Sequence, residues 1–142
     1  MRWFAACLLT HAAAVILLPL AWWAPNLTVV AVVLMTAAQP RRWWIWSGCA
    51  GLFTLLWTAK AGQPVAGAVA ALGCAVWLLS RHWDLSDARV RLALVAGAIV
   101  LITGWELSLG GRWSVPLLGL AAAHVAVTLA CVPALSRRLP AS

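Results

Sequence analysis

The stretch Pro40-Arg41-Arg42-Trp43-Trp44-Ile45-Trp46 constrains this chain more than any other. Apolar sequence runs up to it and away from it. Proline ends the incoming helix, because its nitrogen carries no hydrogen and its ring crowds the preceding turn. Arg41 and Arg42 then place a double charge that is costly in hydrocarbon. Three tryptophans follow, the residue whose amphipathic ring favours the headgroup layer. The stretch predicts a tight turn at one membrane face, the cytoplasmic one.

The apolar runs on either side are not exceptional within this chain. Of its 142 residues, 65% are hydrophobic and 9% charged, where a soluble domain carries about a quarter charged residues. Such a chain has no polar face to turn to water, so the solvent it implies is lipid. Its length suits one helical bundle, a single transmembrane domain over residues 1–142. The formal net charge of +7 would suggest nucleic acid in a soluble protein. Here the basic residues stand singly or in pairs at the ends of apolar runs. That pattern points instead to positive-inside topology, with attraction to anionic lipids as a by-product, and not to nucleic acid.

Six apolar segments can be drawn: Trp3 to Trp23, Pro25 to Gln39, Trp43 to Ala59, Pro64 to Ser80, Arg89 to Leu109 and Trp113 to Leu135. A spanning helix needs about 20 residues, with about 17 tolerated, so the second is short. Extended through Ala24 and Arg41, it holds Pro25 in its first turn, where a missing N–H costs nothing. The first segment has the outline of a signal peptide, but its run is long and Ala21-Trp22-Trp23-Ala24 is too bulky for a cleavage site. It reads as a retained first helix.

With the N-terminus inside, Arg2, Arg41, Arg42, Arg81, Arg89, Arg91, Arg137 and Arg138 fall on the cytoplasmic side, and only Lys60 and Arg112 outside. This bias predicts six spans with both termini cytoplasmic; five spans remain open if the second segment does not cross. Tryptophans form two belts on the same count. Trp3, Trp43, Trp44, Trp46, Trp77 and Trp83 lie near the inner face, and Trp22, Trp23, Trp57, Trp105 and Trp113 near the outer. In the inner loop from Arg81 to Arg89, Asp84 is the expected N-cap of the fifth helix, with Asp87 at its third position.

Several residue sets invite a functional reading. On the fourth segment Gly62, Ala66, Ala70 and Cys74 recur every fourth residue, with Gly67 and Ala71 adjacent. Small residues let backbones approach, which drives helix association in lipid, so this stripe reads as a packing face within the bundle or for another subunit. His11 and His124 lie near the middle of the first and sixth segments. Two mid-membrane histidines on different helices could ligate a haem or belong to a proton path, but a histidine bonded to a neighbouring helix accounts for each. Glu106 reads as an interfacial ion-pair partner of Arg112 or Lys60. Cys7, Cys49, Cys74 and Cys131 share no C-x-x-C spacing and lie within apolar runs, so packing explains them better than disulfides or zinc. With three acidic residues in the chain, there is no Ser-His-Asp set, no H-E-x-x-H and no phosphate-binding glycine loop. General acid–base catalysis needs titratable groups within hydrogen-bond reach; the expectation is a non-enzyme with no cofactor.

Longer motifs add a resemblance. Pro25-Asn26-Leu27 opens the second helix, Pro40-Arg41-Arg42 follows it, Gly48 and Gly51 mark the third, Gln63-Pro64-Val65-Ala66-Gly67 opens the fourth, and Val132-Pro133-Ala134-Leu135-Ser136-Arg137-Arg138 lies near the end. This pattern resembles the rod shape-determining MreD family. That family commonly has aspartate where this chain has Asn26, and an acidic residue near the position of Thr54 or Leu55. The resemblance implies a non-catalytic subunit of the bacterial cell-wall elongation machinery. Its partners would be an MreC-like protein, the MreB filament, and a SEDS polymerase with its transpeptidase, in the inner membrane. Two other classes remain. A solute-binding transporter subunit would turn Asn26, Thr28, Thr58, Gln63 and Glu106 toward a cavity. A haem- or quinone-binding anchor would bring His11 and His124 together. A scaffold needs only a groove of small residues open to lipid.

Overall fold

The computed structural model describes residues 1–17, 25–57, 62–109 and 115–137. These form six helices: α1 Arg2–Leu17, α2 Leu27–Ala38, α3 Trp43–Trp57, α4 Gly62–Leu79, α5 Ala88–Leu109 and α6 Val115–Ser136. Among the described residues there is no strand. The expected positions of Trp22, Trp23, Thr58, Lys60, Arg112, Trp113 and Arg138 lie outside them. The turn anticipated at Pro40 is one turn of 3-10 helix over Pro40–Arg42 that leads directly into α3.

The bundle is built around α2. Every residue from Leu27 to Thr36 is buried, and α2 touches each of the other five helices. Its sequence, LTVVAVVLMTAA, is apolar all round, as a helix must be when it has neighbours on every side. At about 1.5 Å per residue its 12 residues reach about 18 Å, short of the roughly 30 Å of a hydrocarbon core. The six spans expected from sequence are thus six helices. Among the described residues two of them, α5 and α6, are long and apolar enough to cross a membrane. These two lie on the outside: 28% and 17% of their most apolar windows are buried. Apolar side chains also stand out elsewhere, with Leu56 88% and Leu9 66% exposed.

Local chemistry sets where helices begin. Pro25, expected inside the first turn of α2, precedes it, and Asn26 is the N-cap, its Oδ1 accepting the Val29 N–H at 3.2 Å. Asparagine suits this position because its side-chain oxygen satisfies a backbone donor that no carbonyl can reach. Asn26→Ala should cost about 1 kcal/mol, read as a lowered melting temperature in detergent, whereas Asn26→Asp should keep the wild-type value. The start of α5 also differs from expectation. Asp87, not Asp84, bonds the first turn, accepting the Arg89 N–H at 2.8 Å. Asp84 closes its own turn by accepting the Ser86 N–H at 2.9 Å. That backbone bond, joined by the Ser86 side chain, holds the Asp84 carboxyl below the usual carboxylate range.

Ring contacts gather one end of the bundle. Phe4 of α1 meets Trp46 of α3 at 5.1 Å, and Trp43 of α3 stacks on Trp77 of α4 at 5.5 Å. Arg81 completes the column, its guanidinium 4.2 Å from the Trp77 ring. The start of α1, the start of α3 and the end of α4 therefore share one end, together with Arg41 and Arg42. The three tryptophans expected near the headgroup layer lie at this same end but face different surroundings. Trp44 is 63% exposed, Trp43 is half-buried in the stack, and Trp46 is buried against Phe4. Positions 43, 44 and 46 of one helix point in different directions at about 100° per residue, so they share a depth but not their neighbours.

Candidate functional site: a small-residue groove between α3 and α4

The most extensive helix pair is α3 with α4, and small residues make it close. A Cβ built on Gly73 would overlap Ser47 Oγ and lie 3.0 Å from Ser47 Cβ and 3.6 Å from the Trp43 carbonyl oxygen. Ser47 Oγ is buried there with no hydrogen-bond partner. One turn further on, a Cβ on Gly51 would lie 3.4 Å from the Ala66 carbonyl oxygen and 3.6 Å from Ala70 Cβ, ordinary contacts. The seam thus runs through Ser47 and Gly51 on α3 and through Ala66, Ala70 and Gly73 on α4.

The stripe expected from sequence is redrawn by this seam. Gly62 opens α4. Ala66 is buried and Ala70 half-buried at the α3 contact, while Cys74 is half-buried and Gly67 and Ala71 are exposed. Steps of four residues advance about 40° each around a helix, whereas seven residues return to within about 20°. The face that starts at Ala66 therefore continues at Gly73, seven residues on, and Cys74 has rotated off it. Only contact with α3 distinguishes Gly73 from the other glycines of the chain. Val69 and Val76 of α4 are buried in the core cluster.

Along the seam an open groove of about 380 Å³ lies between the two helices. Gly48, Gly51, Ala66, Gly67 and Ala70 form its floor, and Leu52 and Leu55 line it as well. Neither Gly48 nor Gly67 has any atom within 4 Å of where a Cβ would stand. The groove is apolar, without a titratable or nucleophilic side chain. It can do no bond chemistry. What it can do is accept a helix at close range, since small residues on both walls let an incoming backbone approach.

The two histidines belong to a separate cluster at the start of α2. His11 Nδ1 donates to the Pro25 carbonyl at 3.0 Å. The Asn26 N–H donates to Thr128 Oγ1 at 3.1 Å, and that hydroxyl donates to the His124 carbonyl at 2.8 Å. His124 is buried. These bonds tie the start of α2 to α1 at His11 and to α6 at His124. Of the residues expected to face a solute, Asn26 has its side chain engaged as the N-cap and Thr28 is buried in the core. Neither lines the α3–α4 groove.

The basic residues singled out from sequence are exposed at chain turns. Arg41 and Arg42 lie in the 3-10 turn, Arg81 stacks on Trp77, and Arg89 opens α5. All four cysteines are free. In comparisons with protein-family models, with curated proteins and with solved structures, nothing matches this chain.

Proposed function

We propose that this protein is a non-catalytic membrane scaffold that holds a partner's transmembrane helix in the groove between α3 and α4. The observation that carries the reading is that groove. It is open, floored by glycine and alanine on both walls, and set in a bundle whose exterior is largely apolar. In lipid the hydrophobic effect does not drive helices together, so a surface that permits close backbone contact is what association requires. The resemblance to the MreD family supplies the setting: a bacterial inner membrane and the cell-wall elongation machinery. The partner is a single-span MreC-like protein, with a SEDS polymerase and its transpeptidase alongside. Both termini face the cytoplasm, so the end carrying Arg41, Arg42 and Arg81 meets anionic lipid and any cytoskeletal filament.

Purification in mild detergent at native abundance tests this. A single-span partner should co-purify, and depletion in a rod-shaped host should give rounded cells that the wild-type gene restores to rods. Reporter fusions after Arg42 and Arg138 should read cytoplasmic. Normal rods after depletion, with no co-purifying single-span protein, would remove the scaffold reading. The tie of the His11 and His124 segments to the same start of α2 favours a second reading, a haem-binding anchor, and the same preparation tests it. The expected absorption spectrum has no Soret band, because neither histidine has a carboxylate or a second histidine at helical spacing beside it. A band lost in both His11→Ala and His124→Ala would put the anchor first.

A further inference from the structure

A second open groove lies where the loop after α4 meets α5. It has a volume of about 550 Å³ and is lined by His82, Trp83, Asp84, Arg89, Val90 and Ala93. Its two ends differ in chemistry. The loop end carries a cation, Arg89, and an anion, Asp84, both exposed, and no ion pair joins them among the hydrogen bonds of this loop. The loop is braced from behind, where Arg91 Nη2 donates to the Ser86 carbonyl at 3.4 Å. The other end is apolar. Val90 and Ala93 are one turn apart on α5, and the same face continues through the exposed Gly97, Val100 and Leu101. A Cβ on Gly97 would meet nothing within 4 Å, so this track is shallow and unobstructed.

We infer that this groove seats one phospholipid with a zwitterionic phosphoethanolamine headgroup. Its phosphodiester lies at Arg89, its ammonium at Asp84, and an acyl chain runs along Ala93, Gly97 and Val100. Each part of the ligand is chosen by a part of the groove. The apolar track selects a lipid over a free phosphate compound, which has nothing to lay there. The carboxylate selects a zwitterion over a purely anionic headgroup, because an ionised Asp84 repels a second negative group and attracts an ammonium. Phosphoethanolamine also brings N–H donors, which a trimethylated headgroup lacks, and charge-assisted hydrogen bonds are the stronger kind. The inference rests on the reading that these helices stand in lipid.

The test is reconstitution of the full chain into nanodiscs holding equal amounts of phosphatidylethanolamine and phosphatidylglycerol with matched acyl chains. Native mass spectrometry of the released protein then counts the lipids retained. Wild type should retain phosphatidylethanolamine in preference by about two- to fivefold, the size that an exposed charge pair supports. Asp84→Asn keeps the acceptor that closes the turn at Ser86, so it folds, and it should lose the preference. Arg89→Gln should lower retention of both lipids. Soluble glycerophosphoethanolamine in excess should displace nothing. Displacement by that compound would assign a free phosphate ligand and overturn the lipid. An Asp84→Asn ratio equal to wild type would overturn the headgroup assignment with the membrane reading intact. Failure of wild type to enter nanodiscs at all would overturn both.

Discussion

Leucine at Gly73 is expected to abolish the folded bundle. Gly73 is buried at the tightest point between α3 and α4, where even a methyl group would overlap Ser47 Oγ and crowd Ser47 Cβ at 3.0 Å. The hydroxyl can rotate away, but the Cβ cannot, so the two helices must separate. Overpacking of this kind costs about 1–3 kcal/mol and more for a large insertion, out of a total stability of about 5–15 kcal/mol. Because α3 and α4 form the most extensive pair in the bundle, separating them also loosens contacts with α2. Gly73→Leu should therefore yield aggregated or proteolysed protein, and Gly73→Ala a clearly lowered melting temperature in detergent. Gly51→Ala is the control. Its new methyl meets only ordinary contacts at 3.4 and 3.6 Å, so its melting temperature should stay within a few degrees of wild type. A Gly73→Leu protein that is monodisperse and melts like wild type would show that the α3–α4 seam is not as close as described.

Leucine at Gly67 is expected to do the reverse, sparing the fold and removing the partner. Gly67 is exposed on the groove and has free space around its missing side chain. Leucine is also a better helix former than glycine, by up to about 1 kcal/mol, so the isolated protein should be at least as stable. The added side chain occupies the floor that an incoming helix needs. A penalty of about 1–3 kcal/mol weakens binding roughly 5- to 150-fold at 1.4 kcal/mol per decade. In a pull-down from detergent extracts the single-span partner should be lost from Gly67→Leu and from Gly48→Leu, while both variants stay monodisperse. Undiminished recovery of the partner with both variants would exclude this groove as its seat. Gly67 and Gly73 are six residues apart in one helix, and the opposite expectations come only from what each faces.

Much of this architecture is written in the chain itself. The apolar run over residues 27–38 is legible as a helix, but in lipid such a helix can be surrounded by acyl chains or by protein, and only the packing buries Leu27 to Thr36 of α2. Pro40 and the two arginines after it end one helix and begin the next, because proline cannot continue a helix and the charges avoid an apolar interior. Six helices with short connections follow from alternating apolar runs and punctuation by proline, glycine and charge.

Other features depend on which face meets which neighbour, and no local rule decides that. Trp43, Trp44 and Trp46 look equivalent in sequence, yet one stacks, one faces outward and one is buried, because helical rotation sends them to three different surroundings. Asp87 rather than Asp84 bonds the first turn of α5, since the loop can close on Ser86 before the helix starts. The four-residue stripe on α4 suggested Cys74, while the contact with Ser47 falls at Gly73. His11 and His124 are 113 positions apart in the chain, and only the packing of α1 and α6 around the start of α2 bonds both segments to it. Periodicity determines which residues share a helix face. Which of those faces close on each other, and where they leave a groove, is set by the fit of side-chain volumes between helices, and that exists only in the folded protein.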